Sequence, residues 1–119
     1  MEARGLTVRE PYASYLVYGN KQYETRSRPT SYRGPVVIHA GKEMWGLRLP
    51  KPPHLGCAIG IGELTDCVPM TEDFLRDISK EEKAQGFWSV GRYAWKIENI
   101  RPIDPIPMRG QLGLWKIEI

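Results

Sequence analysis

At 119 residues, 41% hydrophobic and 26% charged, the chain can bury one core without disulfides or metal, and its composition excludes a disordered or fibrous protein. The expectation is one domain spanning residues 1–119. Its formal net charge of +3 selects no partner by itself, but the charge is uneven: residues 1–55 hold nine Lys/Arg against four Asp/Glu, and residues 56–119 hold eight against ten.

Gly5-Leu6-Thr7-Val8 reads as an opening strand. Glu10-Pro11 then starts a helix, since proline at the first helical position gives up a hydrogen bond that was unavailable there. Ala13, Leu16 and Val17 share one face with Tyr12 and Tyr15 beside it, and Gly19 is placed to end the helix in a left-handed conformation. Gln22 to Arg26 predicts a strand with Gln22, Glu24 and Arg26 on one face and Tyr23 and Thr25 on the other, the polar face turned to solvent or a cleft. Ser27 to Ser31 is a polar loop, and residues 34–41 (GPVVIHAG) form a strand with Val36, Ile38 and Ala40 inward. His39 then faces away, toward the surface or a second layer.

Residues 47–53 hold three prolines and read as a loop. Residues 56–64 (GCAIGIGEL) are the clearest strand; its apolar positions shift from 57, 59 and 61 to 64, and Gly60 and Gly62 point to a bulge or bend. Glu63 shares parity with Ile59 and Ile61, so it faces inward unless that bulge turns it out. Thr71 and Ser79 are helix N-caps, Ser79 in a capping box with Glu82, and Gly86 ends the helical stretch. Residues 92–100 and 113–119 close the chain as strands. Both contain Trp-Lys-Ile-Glu, a match too short to mark a repeat. The fold class is therefore mostly β with short helices (α+β), a barrel or pseudo-barrel rather than a sandwich.

Cys57 and Cys67, ten positions apart on one strand at about 3.3 Å per residue, lie too far apart to bond. Neither they nor His39 and His54 have zinc-site spacing, so no metal is expected. MEARGLTVRE lacks an apolar signal core, and no apolar run reaches the roughly 20 residues of a membrane span. A cytoplasmic location with reduced thiols, no membrane partner and no cofactor is the expectation.

The informative stretch is residues 18–33, YGNKQYETRSRPTSYR. Gly19, Lys21, Glu24 and Arg26 together would arise by chance in such a chain on the order of once in a thousand, more than a surface ion-pair patch requires. With Tyr32-Arg33-Gly34-Pro35 and the following strand, and with Gly91-Arg92-Tyr93-Ala94-Trp95 late in the chain, the sequence resembles the ASCH domain of the PUA-like superfamily, whose hallmark is GxKxxExR after the first helix. The resemblance spans nearly the whole chain. It implies a β-barrel whose cleft is lined by the motif and a role in binding RNA or another nucleic acid.

The residue types agree. Lys21, Arg26, Arg28, Arg33 and Lys42 can neutralise phosphates. Tyr12, Tyr32 and Tyr93 offer faces for unstacked bases, as does Trp95, although Trp95 and Trp115 suit a core better. Glu24 stands apart, because a purely phosphate-binding surface has no use for a carboxylate, whereas a pocket that reads a base edge, or one that orders Arg26 through a charge-assisted pair, does. RNA or DNA, or a nucleotide-like small molecule, is the expected ligand; a protein partner at the acidic segment 71–85 is the weaker reading.

Two enzymatic alternatives stay open. Some small proteins of this family are amidohydrolases of acylated cytidine, implying a catalytic lysine, a threonine nucleophile and a glutamate. Lys21 matches the lysine, but Glu24 occupies the threonine's position, and Thr25 belongs to the opposite strand face. A ribonuclease of the same fold is the other alternative. The catalytic candidates are Lys21, Glu24 and Glu63.

Overall fold

The computed structural model describes residues 1–44 and 54–119; the loop expected at 47–53 lies outside them. The chain runs β1 (Glu2–Glu10), α1 (Tyr12–Tyr18), β2 (Tyr23–Arg26), β3 (Gly34–Met44), β4 (Cys57–Pro69), α2 (Glu72–Arg76), α3 (Lys80–Lys83), β5 (Tyr93–Pro107) and β6 (Leu114–Glu118). Among the described residues these strands form one sheet, ordered β2-β5-β4-β3-β1-β6. Only β1 and β3 pair in parallel, and the crossover between them carries α1 and β2. The mostly β class with short helices is as the sequence predicts, but the sheet is not closed into a barrel: its end strands β2 and β6 do not pair.

The strand β3 is buried on both faces. Val36, Ile38 and Ala40 meet Leu6, Val8, Ile59, Leu64, Trp95, Ile97 and the apolar stripe of α1, Ala13, Leu16 and Val17. Val37 meets Ala3 and Ala58 on the other side, under Ile61, Ile103, Met108 and Ile117. Burying the α1 stripe is what holds a helix of seven residues, too short to persist alone in water. Its first turn begins one position later than predicted: Pro11 is the N-cap and supplies no side-chain cap. The buried carboxylate of Glu10 substitutes, accepting from the Ser14 amide at 2.7 Å and the Ser14 hydroxyl at 2.6 Å.

At its end the helix departs from expectation. Gly19 is extended (φ −111°, ψ −153°) rather than left-handed. Glycine is needed there for space, since a Cβ would lie 2.9 Å from the Tyr15 carbonyl oxygen, which also accepts from the Gly19 and Lys21 amides.

Two of the three register shifts between β4 and β5 fall where the glycines indicated, between Ala58 and Gly60 and between Ile61 and Glu63, and the third follows between Leu64 and Asp66. Glu63 emerges exposed, so the inward orientation is corrected and the outward one holds. Cys57 and Cys67 are both free thiols on β4. Thr71 and Ser79 cap α2 and α3, accepting from the Phe74 and Glu82 amides. The capping box is only half made, because the Glu82 carboxylate turns away to accept from the Gln22 amide at 2.9 Å. Among the described residues no helix is long and apolar enough to cross a membrane.

Candidate functional site

The sheet curls so that β2 approaches β1 without pairing, and a cleft of about 1490 Å³ opens along this seam. Beyond Leu6, β1 has no β6 partner. The freed Thr7 carbonyl is taken by a side chain instead: Arg26 Nη2 donates to it across the seam at 2.8 Å. Arg26 also holds Glu24, its Nε and Nη2 lying 2.9 Å and 2.7 Å from Glu24 Oε2, and its guanidinium carbon is 5.8 Å from the Trp95 ring centre. The two residues project together because they are two apart on one strand.

The opposite wall is the segment joining β5 to β6. Gly110 lies so close to the floor that a Cβ there would be 2.7 Å from Thr7 Oγ1 and 2.9 Å from His39 Cε1. His39 is 2% exposed, which corrects the surface expectation. Its ring lies between Thr7 Oγ1, 3.1 Å from Nδ1, and the Met108 carbonyl, 2.8 Å from Nε2, with Trp115 edge-on at 6.0 Å. It faces away from Val36 and Ile38 as alternation requires, but the 108–113 segment covers that face.

Lys21 does not line the cleft but packs against two residues that do, Tyr12 and Gln85. Its side chain has no exposed surface: Nζ donates to the Gln85 carbonyl, stands 3.9 Å from Glu82 Oε2 and lies 5.7 Å from the Tyr12 ring centre. Burial pushes the pKa of Lys21 below its ordinary 10.5, against the opposing charges of Glu24 and Glu82.

Of the residues singled out in the sequence, Tyr12, Glu24, Arg26 and Lys42 line the cleft. Thr25 lines it too, its hydroxyl accepting from the Phe87 amide at 3.0 Å. The others do not converge there. Tyr32 donates its hydroxyl to the Pro35 carbonyl and carries the Arg4 guanidinium 5.2 Å from its ring centre. Arg33 binds carbonyls of its own loop, Arg28 is exposed and receives Trp95 Nε1 on its carbonyl, and Tyr93 packs half-buried on the core.

The cleft also gathers Arg9, Arg92, Arg109 and Phe87, which the sequence reading passed over. Arg109 stands on an irregular stretch and Arg9 at a strand's end, so their only signal was charge. Arg92 is anchored through the carbonyls of Phe87 and Thr25. Among the described lining residues five are cationic, Arg9, Arg26, Lys42, Arg92 and Arg109, and one is a carboxylate, Glu24. Tyr12 and Phe87 meet edge-to-face at 6.2 Å on the rim.

The fold is thus a β-rich one, an open, mostly antiparallel sheet curled around a short helix, with a cationic cleft on its seam. Residues 6–108 match the family model of the ASCH domain, and the chain belongs to that family. Two solved structures share the fold: the crystal structure of ASCH from Zymomonas mobilis (TM-score 0.66, 18% identity, 98% of this chain and 87% of that one), and that of a tyrosine-to-phenylalanine mutant of ZmASCH from Zymomonas mobilis (TM-score 0.66, 18% identity, 98% and 90%). No curated protein matches the sequence.

Proposed function

We propose that the seam cleft binds single-stranded nucleic acid, RNA foremost, or a nucleotide-like ligand. The observation that carries this reading is the cleft's lining: five cations around one carboxylate, beside the half-exposed ring of Phe87. Cations attract a phosphate backbone, and aromatic side chains stack unpaired bases at about 1–3 kcal/mol each.

The hydrolase alternatives gain no comparable support. Lys21 is wholly buried and donates to a carbonyl, whereas a general base has to reach the proton it removes. Glu63 is exposed and does not line the cleft.

Titrating the protein with single-stranded RNA at several salt concentrations, read by fluorescence anisotropy, tests the proposal. Affinity should fall linearly with salt on a double-logarithmic plot. Replacing the exposed Lys42 or Arg109 by alanine should reduce the slope by roughly 0.7 for each phosphate no longer neutralised. Salt-independent binding, or slopes unmoved by both substitutions, would sink it.

A further inference from the structure

Resting on the nucleic-acid reading of the cleft, we propose that the Glu24–Arg26 pair makes it selective for guanine. Glu24 is 8% exposed and is the one carboxylate among the described lining residues, where it opposes every phosphate the surrounding cations would attract. A group that works against backbone binding contributes through specificity.

The pair also has capacity to spare. Arg26 engages only Oε2 of Glu24, using Nε and Nη2, and Nη2 also serves the Thr7 carbonyl. Glu24 Oε1 and Arg26 Nη1 have no partner among the described residues. The cleft thus keeps one anionic acceptor and one cationic donor on neighbouring side chains of β2.

The Watson–Crick edge of guanine is the complement of this array. Its O6 accepts, matching the guanidinium, while its N1–H and exocyclic N2–H donate, matching an acceptor-only carboxylate. Adenine and cytosine set a ring-nitrogen lone pair beside their amine, and that lone pair would face the carboxylate. Uracil flanks its single N–H with two carbonyl oxygens. The nearby rings of Tyr12 and Phe87 supply apolar surface for the base, and Lys42 and Arg109 at the cleft's edge are placed to meet its phosphates.

The test compares short oligouridylates carrying one central guanosine, inosine, adenosine or cytidine, with GMP and AMP as single-nucleotide probes. The guanosine oligonucleotide should bind about tenfold or more tightly than those with adenosine or cytidine. Inosine, which lacks the N2 amine, should fall between. Glu24→Gln, which replaces one acceptor oxygen by a donor, should bring the guanine-to-adenine ratio near unity, and Arg26→Lys should reduce it by losing the planar fork. If either variant fails to fold, the wild-type series still decides. Equal binding of all four oligonucleotides, or preference for adenosine or cytidine, overturns guanine selectivity and leaves nucleic-acid binding intact. Binding of none overturns both.

Discussion

The Lys21 ammonium has exchanged water for the Gln85 carbonyl, the Glu82 carboxylate and the face of Tyr12, and the exchange has a pH signature. Its folded-state pKa lies below the ordinary 10.5, so between the two values the unfolded chain binds more protons than the folded one. Stability attributable to Lys21 therefore rises with pH through that window, as the buried charge is relieved. Lys21→Met removes the titration. In urea denaturation the wild type should gain on this variant as pH climbs toward 10.5, and a pH-independent difference would show that burial does not perturb Lys21. The lysine's prominence was legible in GxKxxExR. Its partners were not, because Glu82 and Gln85 lie about sixty residues away and only docking of α3 brings them under β2.

At the scale of elements, α1 rests on the sheet at a glycine. A Cβ on Gly60 would stand 2.7 Å from Val17 Cγ2 and 3.1 Å from the Arg101 carbonyl oxygen, so helix and strands close on that position from both sides. Gly60→Ala should cost about 1–3 kcal/mol through overpacking, read as a lower urea midpoint, and an unchanged midpoint would show that α1 can shift at no cost. Alternation and glycines disclosed this strand and its bulges. They did not disclose that β5 continues to Pro107, since Pro102, Pro105 and Pro107 read as breakers. They are tolerated because β2 pairs with β5 only over Tyr93–Lys96. Beyond Ile97, whose amide still reaches the Gln22 carbonyl at 2.9 Å, the described ladder partner of β5 is β4, and on its other edge a missing N–H forfeits no ladder bond.

Across the whole molecule the decisive feature is the seam. Six strands curl far enough for Arg26 to bridge to Thr7, yet β2 and β1 stay unpaired, and the gap is the cleft. Its far wall depends on close approach at Gly110, where any side chain would press on Thr7 and His39. Gly110→Ala should lift the 108–113 segment, break the hydrogen bond between His39 and the Met108 carbonyl and cost about 1–3 kcal/mol. The near-ultraviolet circular dichroism of Trp115, edge-on to His39, should change with it; a variant with wild-type stability and spectrum would show that the wall can yield freely.

By itself the sequence determined the mostly β class, the apolar stripe of α1, the caps at Thr71 and Ser79, the bulged β4 and the motif that marks the family. All of these rest on periodicity, turn chemistry or fixed spacing, which act between near neighbours. Tertiary structure alone decided that the sheet stays open at β2, that Lys21 is buried behind Tyr12 and Gln85 instead of lining the cleft with Glu24 and Arg26, and that Arg9, Arg92 and Arg109 join that pair from β1, the approach to β5 and the β5–β6 connection. These placements depend on how far the sheet curls and which distant segments meet across its seam, and no local pattern encodes the meeting of residues that are neighbours only after folding.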